Sequence, residues 1–502
     1  MQTNIIEYLT ASAERFPDKT AVNDGATQIT YGELLKKSRA IGTALSRIIG
    51  LRDPVGVYTG KCTEAITAFF GTAFAGGFYC SLNPELPDTR LSQTVSVLKP
   101  KLILTTSSLL PDAKRAFPEC ETLVITELYE TLPDEKTLAA RLDGHTDTDP
   151  LYINFTSGST GTPKGIAVCH RSVIDFIDCF TEIFGITCND VIANQAPFDF
   201  DVSVKDIYSA VKTGAELLIV PRKLFSAPVG LTDFLCDNKA TVMIWAVSAL
   251  CLITTFHCLD YRTPETVKKI LFSGEVMPAR ALKEFKKHLP DAMYVNLYGP
   301  TEITCNCTYH ILDNDRDYTD GIPIGKHFPN EDVFLLDEND RRVTEEDAVG
   351  EICVRGSALA LGYWSCPEQN EKHFVQNPLN PHYPERIYRT GDLGRFDVNG
   401  ELFFCGRRDF QIKYMGHRIE LEEIERAASS RDGVDRFCCV FDEKHSRLKG
   451  FYVGSLDREE LHRQLKAELP GFMVPGMLFK LDEMPLTKNG KTDRKSLAEY
   501  KK

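Results

Sequence analysis

The chain has 502 residues, 43% of them hydrophobic and 26% charged, which is ordinary for a globular protein and long enough for two to four structural units. A formal net charge of −13 argues against a nucleic-acid binder, because no basic face is expected to dominate. The 16 cysteines contain no C-x-x-C pair, which predicts reduced, mostly buried thiols rather than zinc ligands. The N-terminus has no basic start followed by a long apolar stretch, and no window approaches the roughly 18 apolar residues of a membrane span. The expectation is a cytoplasmic protein without membrane insertion.

In chain order, "YGELLKKSRAIGTALSRI" (31–48) has helical periodicity. Short β-branched runs follow as predicted buried strands: "VGVYT" (55–59), "KLILTT" (101–106), "TLVIT" (122–126), "ELLIV" (216–220), "TVMIW" (241–245) and "KILFSG" (269–274). A second helix is predicted over "ARALKEFKKHL" (279–289). This alternation implies layered α/β sheets, largely parallel. From about residue 330 the strands shorten, as in "DVFLLD" and "GEICVRG", and predict a β-rich, barrel-like subdomain. After Phe404 the chain turns through Gly406 towards a Glu-rich helix. A boundary near Asp409 divides a core, 1–408, from a small α+β domain, 409–502.

Four segments carry phosphate and nucleotide chemistry. "NFTSGSTGTPKG" (154–165) supplies glycines for a concavity of backbone N–H groups, hydroxyl donors and the charge of Lys164. It is not a Walker A loop, because Pro163 precedes Lys164 and Gly165 follows it. In "NLYGPTE" (296–302), Tyr298 suits base stacking, Thr301 a phosphate contact and Glu302 a Mg²⁺ shared with phosphate oxygens. In "YRTGDLGRF" (388–396), Asp392 is a carboxylate placed to accept from both ribose hydroxyls. "LTKNGKTDRK" (486–495) sets Lys491 behind a tight Asn-Gly turn. Each segment taken singly is also compatible with an ordinary turn, loop or solvated tail.

Taken together and in order, these segments resemble the adenylate-forming superfamily of acyl-CoA synthetases, luciferases and nonribosomal peptide adenylation domains. The resemblance covers essentially the whole chain and includes "TYGEL", "FAGGFYCSLNPELP", "NQAPFDFDVSVKDIY", "GEICVRGSALALGYW", "GRRDFQIKYMGHRIELEEIE" and "LPGFMVP". Within the family the chain looks most like stand-alone D-alanine–D-alanyl carrier protein ligases, through "NQAPFDFDVSVKDIY" and "FSGEVMP". The resemblance implies ATP and Mg²⁺ as cofactors. It also implies two half-reactions, forming an acyl adenylate plus pyrophosphate and then transferring the acyl group to a phosphopantetheine thiol.

By motif match, Thr156, Ser157, Gly158, Ser159, Thr160, Gly161 and Lys164 cover the β- and γ-phosphates. Asn296 and Tyr298 face adenine, with Gly299 also at the ATP site; Thr301 contacts the α-phosphate and Glu302 holds the metal. Asp392 takes the ribose, Arg407 the ribose or phosphates, and Lys491 bridges the α-phosphate and the substrate carboxylate. Asp409 matches the hinge about which the C-terminal domain turns between half-reactions.

Asp201 matches the position that pairs with a substrate α-ammonium, so an amino acid is expected. The remaining pocket positions are Val202, Lys205, Ser248, Leu271, Ser273, Leu297, Cys305 and Asn306. Lys205 replaces a usual apolar residue and Ser273 a usual Cys of the D-alanine ligases. The expected substrate is a small amino acid, polar in preference to apolar: serine, cysteine, alanine including D-alanine, or an acidic one. Lys205 has two other readings, extension outward or pairing with Asp199 or Asp206. The alternative activity is an acyl-CoA ligase for a small carboxylic acid. The partner implied is a separate carrier protein, docking on basic residues such as Arg407, Arg408, Lys413 and Arg418.

Overall fold

The computed structural model describes residues 2–157, 162–318, 321–409, 411–443, 445–486 and 492–500. Strands covered on both faces are apolar along their whole length, and the predicted runs behave that way. Pro54–Tyr58 and Val242–Ala246 are buried at every position. The run at 122–126 is shorter than its composition suggests: the strand is Thr122–Val124, and Ile125 opens a short helical turn.

The chain divides into two compact units. The first comprises 1–84, 98–154 and 165–408. Its nine-stranded sheet runs, in spatial order, Lys326–His327, Thr308–Ile311, Met293–Tyr298, Lys269–Ser273, Val242–Ala246, Val191–Asn194, Glu216–Ile219, Thr20–Asn23 and Gln28–Thr30. The six central strands are parallel and the flanking ones antiparallel. A seven-stranded sheet runs Gly362–Tyr363, Lys164–Cys169, Pro150–Thr156, Phe78–Leu82, Pro54–Tyr58, Leu102–Thr105 and Thr122–Val124. The main core packs apolar residues of both sheets with the helices Ile6–Arg15, Tyr31–Leu45, Thr63–Phe74, His170–Ile183 and Val202–Thr213.

Local chemistry sets these helices. Thr30 and Glu33 form a reciprocal capping box at the start of Tyr31–Leu45. Gly214 ends Val202–Thr213 in the left-handed conformation, where a Cβ would sit 2.5 Å from the Phe16 ring. A second apolar cluster covers the other face of the nine-stranded sheet with Pro228–Asp237, Val247–Thr255 and Ala279–His288. From residue 331 the expected β-rich part is a five-stranded antiparallel sheet of Glu331–Leu336, Gly350–Gly356, Phe374–Gln376, Arg386–Phe396 and Leu402–Arg407.

The second unit comprises 409–502 together with 85–97 and 155–164. Its helices Leu421–Ser429 and Arg458–Glu468 bury an apolar face against a three-stranded sheet. Arg90 meets Glu423 at 2.6 Å, and Ser157 Oγ donates to Arg418 O at 2.8 Å, which ties the two earlier segments into it. Among the described residues no helix is long and apolar enough to cross a membrane. None of the 16 cysteines forms a disulfide, and Cys405 alone is exposed.

Candidate active site

In a parallel sheet, ligand sites collect beyond the carboxyl ends of the strands. Four neighbouring strands of the nine-stranded sheet deliver the expected site residues there. Val191–Asn194 leads through 195–200 to Asp201, which opens the helix Val202–Thr213. Val242–Ala246 leads directly into the helix bearing Ser248. Ser273 ends Lys269–Ser273, level with Ala246 on one side and Leu297 on the other. Met293–Tyr298 supplies Asn296, Leu297 and Tyr298 before the turn to Glu302.

The nucleotide-binding candidates meet around Asp392. Tyr298 Oη donates to Asp392 Oδ2 at 2.5 Å, and the Arg407 guanidinium pairs with Oδ1. Burial first, and then Asp392, raise the Tyr298 phenol well above its ordinary value, so it is a firm donor. Arg407 also donates to Thr390 O, and Asn296 Nδ2 donates to Pro323 O at 2.9 Å. A carboxylate accepts about four hydrogen bonds, so Asp392 retains capacity for sugar hydroxyls. Arg408 pairs with Glu351 at 3.2 Å and remains exposed, while Arg407 is spent on Asp392.

Glu302 is 1% exposed and accepts from Tyr363 Oη at 2.7 Å, with Tyr388 Oη 3.3 Å beyond. One buried carboxylate, oriented by a phenol, fits Mg²⁺ that takes its other ligands from phosphate and water. Among the described residues the one cluster of three potential metal ligands is Asp260, Glu284 and His288, and Glu302 is not part of it. Thr301 lies beside Glu302 in the same short helical turn.

The next residues bend sharply. Thr304 and Cys305 have φ of 43° and 77°, a strained left-handed pair for non-glycine residues, held in part by Thr304 Oγ1 on Ala358 O at 2.7 Å. This bend lays Asn306 over Gly299, where a Cβ would be 2.4 Å from Asn306 Cα. Cys305 Sγ donates to Asp201 O at 3.1 Å, and burial pushes its thiol pKa well up. Asn306 Oδ1 accepts from Lys205 Nζ at 2.6 Å. Asp201, Lys205, Cys305 and Asn306, all expected pocket residues, are thus linked to one another, with Leu271, Ser273 and Leu297 on two neighbouring strands. Val202 follows Asp201 at the first position of the helix.

Lys205 neither extends outward nor pairs with Asp199 or Asp206. It is fully buried; Asp206 accepts from Asn194 Nδ2 at 2.7 Å, and Asp199 accepts from Asn83. Sequence reasoning missed Lys61, whose ammonium donates to Asn194 O, Asn194 Oδ1 and Gln195 O at 3.0, 3.0 and 2.9 Å. Lys61 clamps the start of the segment that leads to Asp201. Tyr363, the partner of Glu302, was missed as well, although it lies in the quoted "GEICVRGSALALGYW".

Of the glycine-rich segment, Thr156, Ser157 and Lys164 are described and belong to the second unit. Gly158, Ser159, Thr160, Gly161 and Lys491 lie outside the described residues. Asp409 Oδ1 accepts from the Gln411 amide at 3.2 Å.

Tyr298 at the end of a parallel strand, Glu302 in the turn after it and Asp392 reaching Tyr298 from the antiparallel sheet together define the ligand site of an α/β protein. The AMP-binding enzyme family matches residues 9–364. Zwittermicin A synthase ZmaJ of Bacillus cereus is 32% identical over 514 residues, covering 99% of this chain and 95% of that one. Bacitracin synthase 1 of Bacillus licheniformis is 32% identical over 501 residues, 98% of this chain but 9% of that protein. Holo-PA1221, an NRPS protein containing adenylation and PCP domains, superposes with a TM-score of 0.86 at 24% identity, covering 98% of this chain and 84% of that one. The chain belongs to the AMP-binding, adenylate-forming family, and is an ATP-using, AMP-forming ligase of the nonribosomal peptide adenylation type.

Proposed function

We propose that the chain activates a small, polar or acidic amino acid as its aminoacyl adenylate and passes it to the phosphopantetheine thiol of a separate carrier protein. The observation that carries this reading is Asp201, a carboxylate at the head of the helix Val202–Thr213, bonded through its carbonyl to pocket residue Cys305. By motif match this is the carboxylate that meets the α-ammonium of an amino-acid substrate, and opposite charges there favour a ligand that brings a cation. A fatty or aryl acid brings none.

In the first half-reaction a substrate carboxylate oxygen attacks the α-phosphorus of ATP. The bond to the bridging oxygen breaks and pyrophosphate leaves with its electron pair. Two anions approach each other, so catalysis consists mainly of positioning and charge neutralisation. We assign Asn296, Tyr298 and Gly299 to adenine, Asp392 and Arg407 to ribose and phosphate, and Thr301 to the α-phosphate. Thr156, Ser157, Gly158, Ser159, Thr160, Gly161 and Lys164 hold the leaving pyrophosphate, and Lys491 bridges the α-phosphate and the attacking carboxylate. Mg²⁺ on Glu302 would offset phosphate charge. In the second half-reaction the thiol sulfur attacks the acyl carbon, AMP leaves, and the thiol proton passes to solvent. The reading takes 409–502 as the mobile domain and Asp409 as the hinge on which it turns to admit the thiol. It places the reaction in the cytoplasm, where ATP and reduced thiols coexist.

Pyrophosphate exchange over a panel of amino acids and simple carboxylic acids tests the reading. Exchange with an amino acid, abolished by Asp201→Ala, is expected. Exchange with carboxylic acids alone, unaffected by Asp201→Ala, would assign a CoA ligase instead.

A further inference from the structure

Two lysines, Lys61 partly buried and Lys205 fully buried, lie beside the segment that carries Asp201, and they differ in how their donors are used. An ammonium has three N–H donors. Lys61 spends all three on Asn194 and Gln195. That is a structural lysine satisfied by its own protein. Lys205 is sealed from solvent, at 0% exposure, yet among the described residues it makes a single hydrogen bond, to Asn306 Oδ1 at 2.6 Å. No ion pair joins it to any described residue. The charged or titratable groups that face it are Cys305, Asp201 and Asp206, and burial lowers its pKa.

We infer that Lys205 determines specificity by receiving a substrate side-chain carboxylate, so that the amino acid activated is of the aspartate or glutamate class. The inference rests on the amino-acid-activating reading above. Asp201 and Lys205 are four residues apart, hence one helical turn, or about 6 Å, along the same face. An acidic amino acid presents opposite charges at a similar spacing, its α-ammonium to Asp201 and its side-chain carboxylate to Lys205. The carboxylate joins Asn306 Oδ1 on the ammonium and occupies donors the protein leaves over. Asn306 Oδ1 uses one of the three ammonium donors, which leaves two for an anionic ligand. A neutral side chain of similar size would leave the cation buried and unpaired, and such mismatches reject a ligand strongly.

The test is pyrophosphate exchange by the full chain with L- and D-aspartate, L- and D-glutamate, alanine, serine and cysteine. An acidic substrate should be preferred by at least about 100-fold in kcat/KM. Lys205→Met should remove that preference while ATP binding, followed by calorimetry, stays intact. Lys205→Arg should retain part of it and serves if the Met variant does not fold. Preference for alanine, serine or cysteine over both acids overturns this inference and leaves amino-acid activation standing. Exchange with no amino acid overturns the underlying reading and the inference with it.

Discussion

Tyr298, at the end of a strand in the nine-stranded sheet, donates its phenol to Asp392 in the five-stranded antiparallel sheet at 2.5 Å. Residues 94 apart in sequence thus share one hydrogen bond, with Arg407 on the other carboxylate oxygen. Asp392→Ala strands a nearly buried guanidinium and is expected to cost about 3 kcal/mol in denaturant unfolding. Tyr298→Phe removes a bond to a charged acceptor without leaving a charge unpaired, about 2 kcal/mol. If Asp392 receives the ribose, Asp392→Ala should also raise the KM for ATP well beyond the effect of Tyr298→Phe.

Glu302→Gln keeps an oxygen for Tyr363 but removes the charge. The fold should therefore persist, with melting within a few degrees of the parent, while adenylate formation falls by about 100-fold or more. Adding Mg²⁺ should recover part of the rate if Glu302 holds the metal. A loss indifferent to Mg²⁺ would leave Glu302 a structural acid.

Gly299→Ala forces a Cβ into the backbone of Asn306 and Cys307, at 2.4 and 2.7 Å. Backbone cannot rotate away as a flexible side chain does. A destabilisation of about 3 kcal/mol is expected, read from the urea midpoint. Because the displaced residue is Asn306, the KM for the amino acid should rise as well.

Asp206 is buried, and burial raises its carboxyl pKa to about 7, against the lowering influence of Asn194, Lys205 and Lys61. A raised acid gives stability that is fully present below its unfolded value and lost as pH rises through the folded one. Asp206→Asn removes this term. Relative to the parent, the variant should gain on the order of 2 kcal/mol between pH 5 and pH 8, measured by chemical denaturation at each pH. No relative gain would mean that the carboxylate is fully compensated by its two lysines.

The strands of the first unit were legible because a strand buried on both faces leaves a run of apolar residues that needs no knowledge of its neighbours. The site motifs were legible for a similar reason, since "NLYGPTE" and "YRTGDLG" each carry their turn and their chemistry within a few residues. Long-range partnerships left no such trace. Lys61 reaches Asn194 across 133 positions, and Lys205 reaches Asn306 across 101. Before folding, each was one lysine among many. The inclusion of 85–97 and 155–164 in the second unit was equally unreadable, because it depends on tertiary pairs such as Arg90 with Glu423.

The left-handed bend at Thr304 and Cys305 bears on attempts to retune this enzyme for another substrate. Ser248, Ser273 and Leu297 sit on regular helix or strand backbone and accept exchanges of shape at little conformational cost. Cys305, at a φ of 77°, does not. Asparagine or glycine enters there easily, whereas valine or isoleucine would carry a penalty of about 1–3 kcal/mol before touching any ligand. Libraries that randomise the pocket uniformly would therefore spend much of their diversity at position 305 on chains that fold poorly.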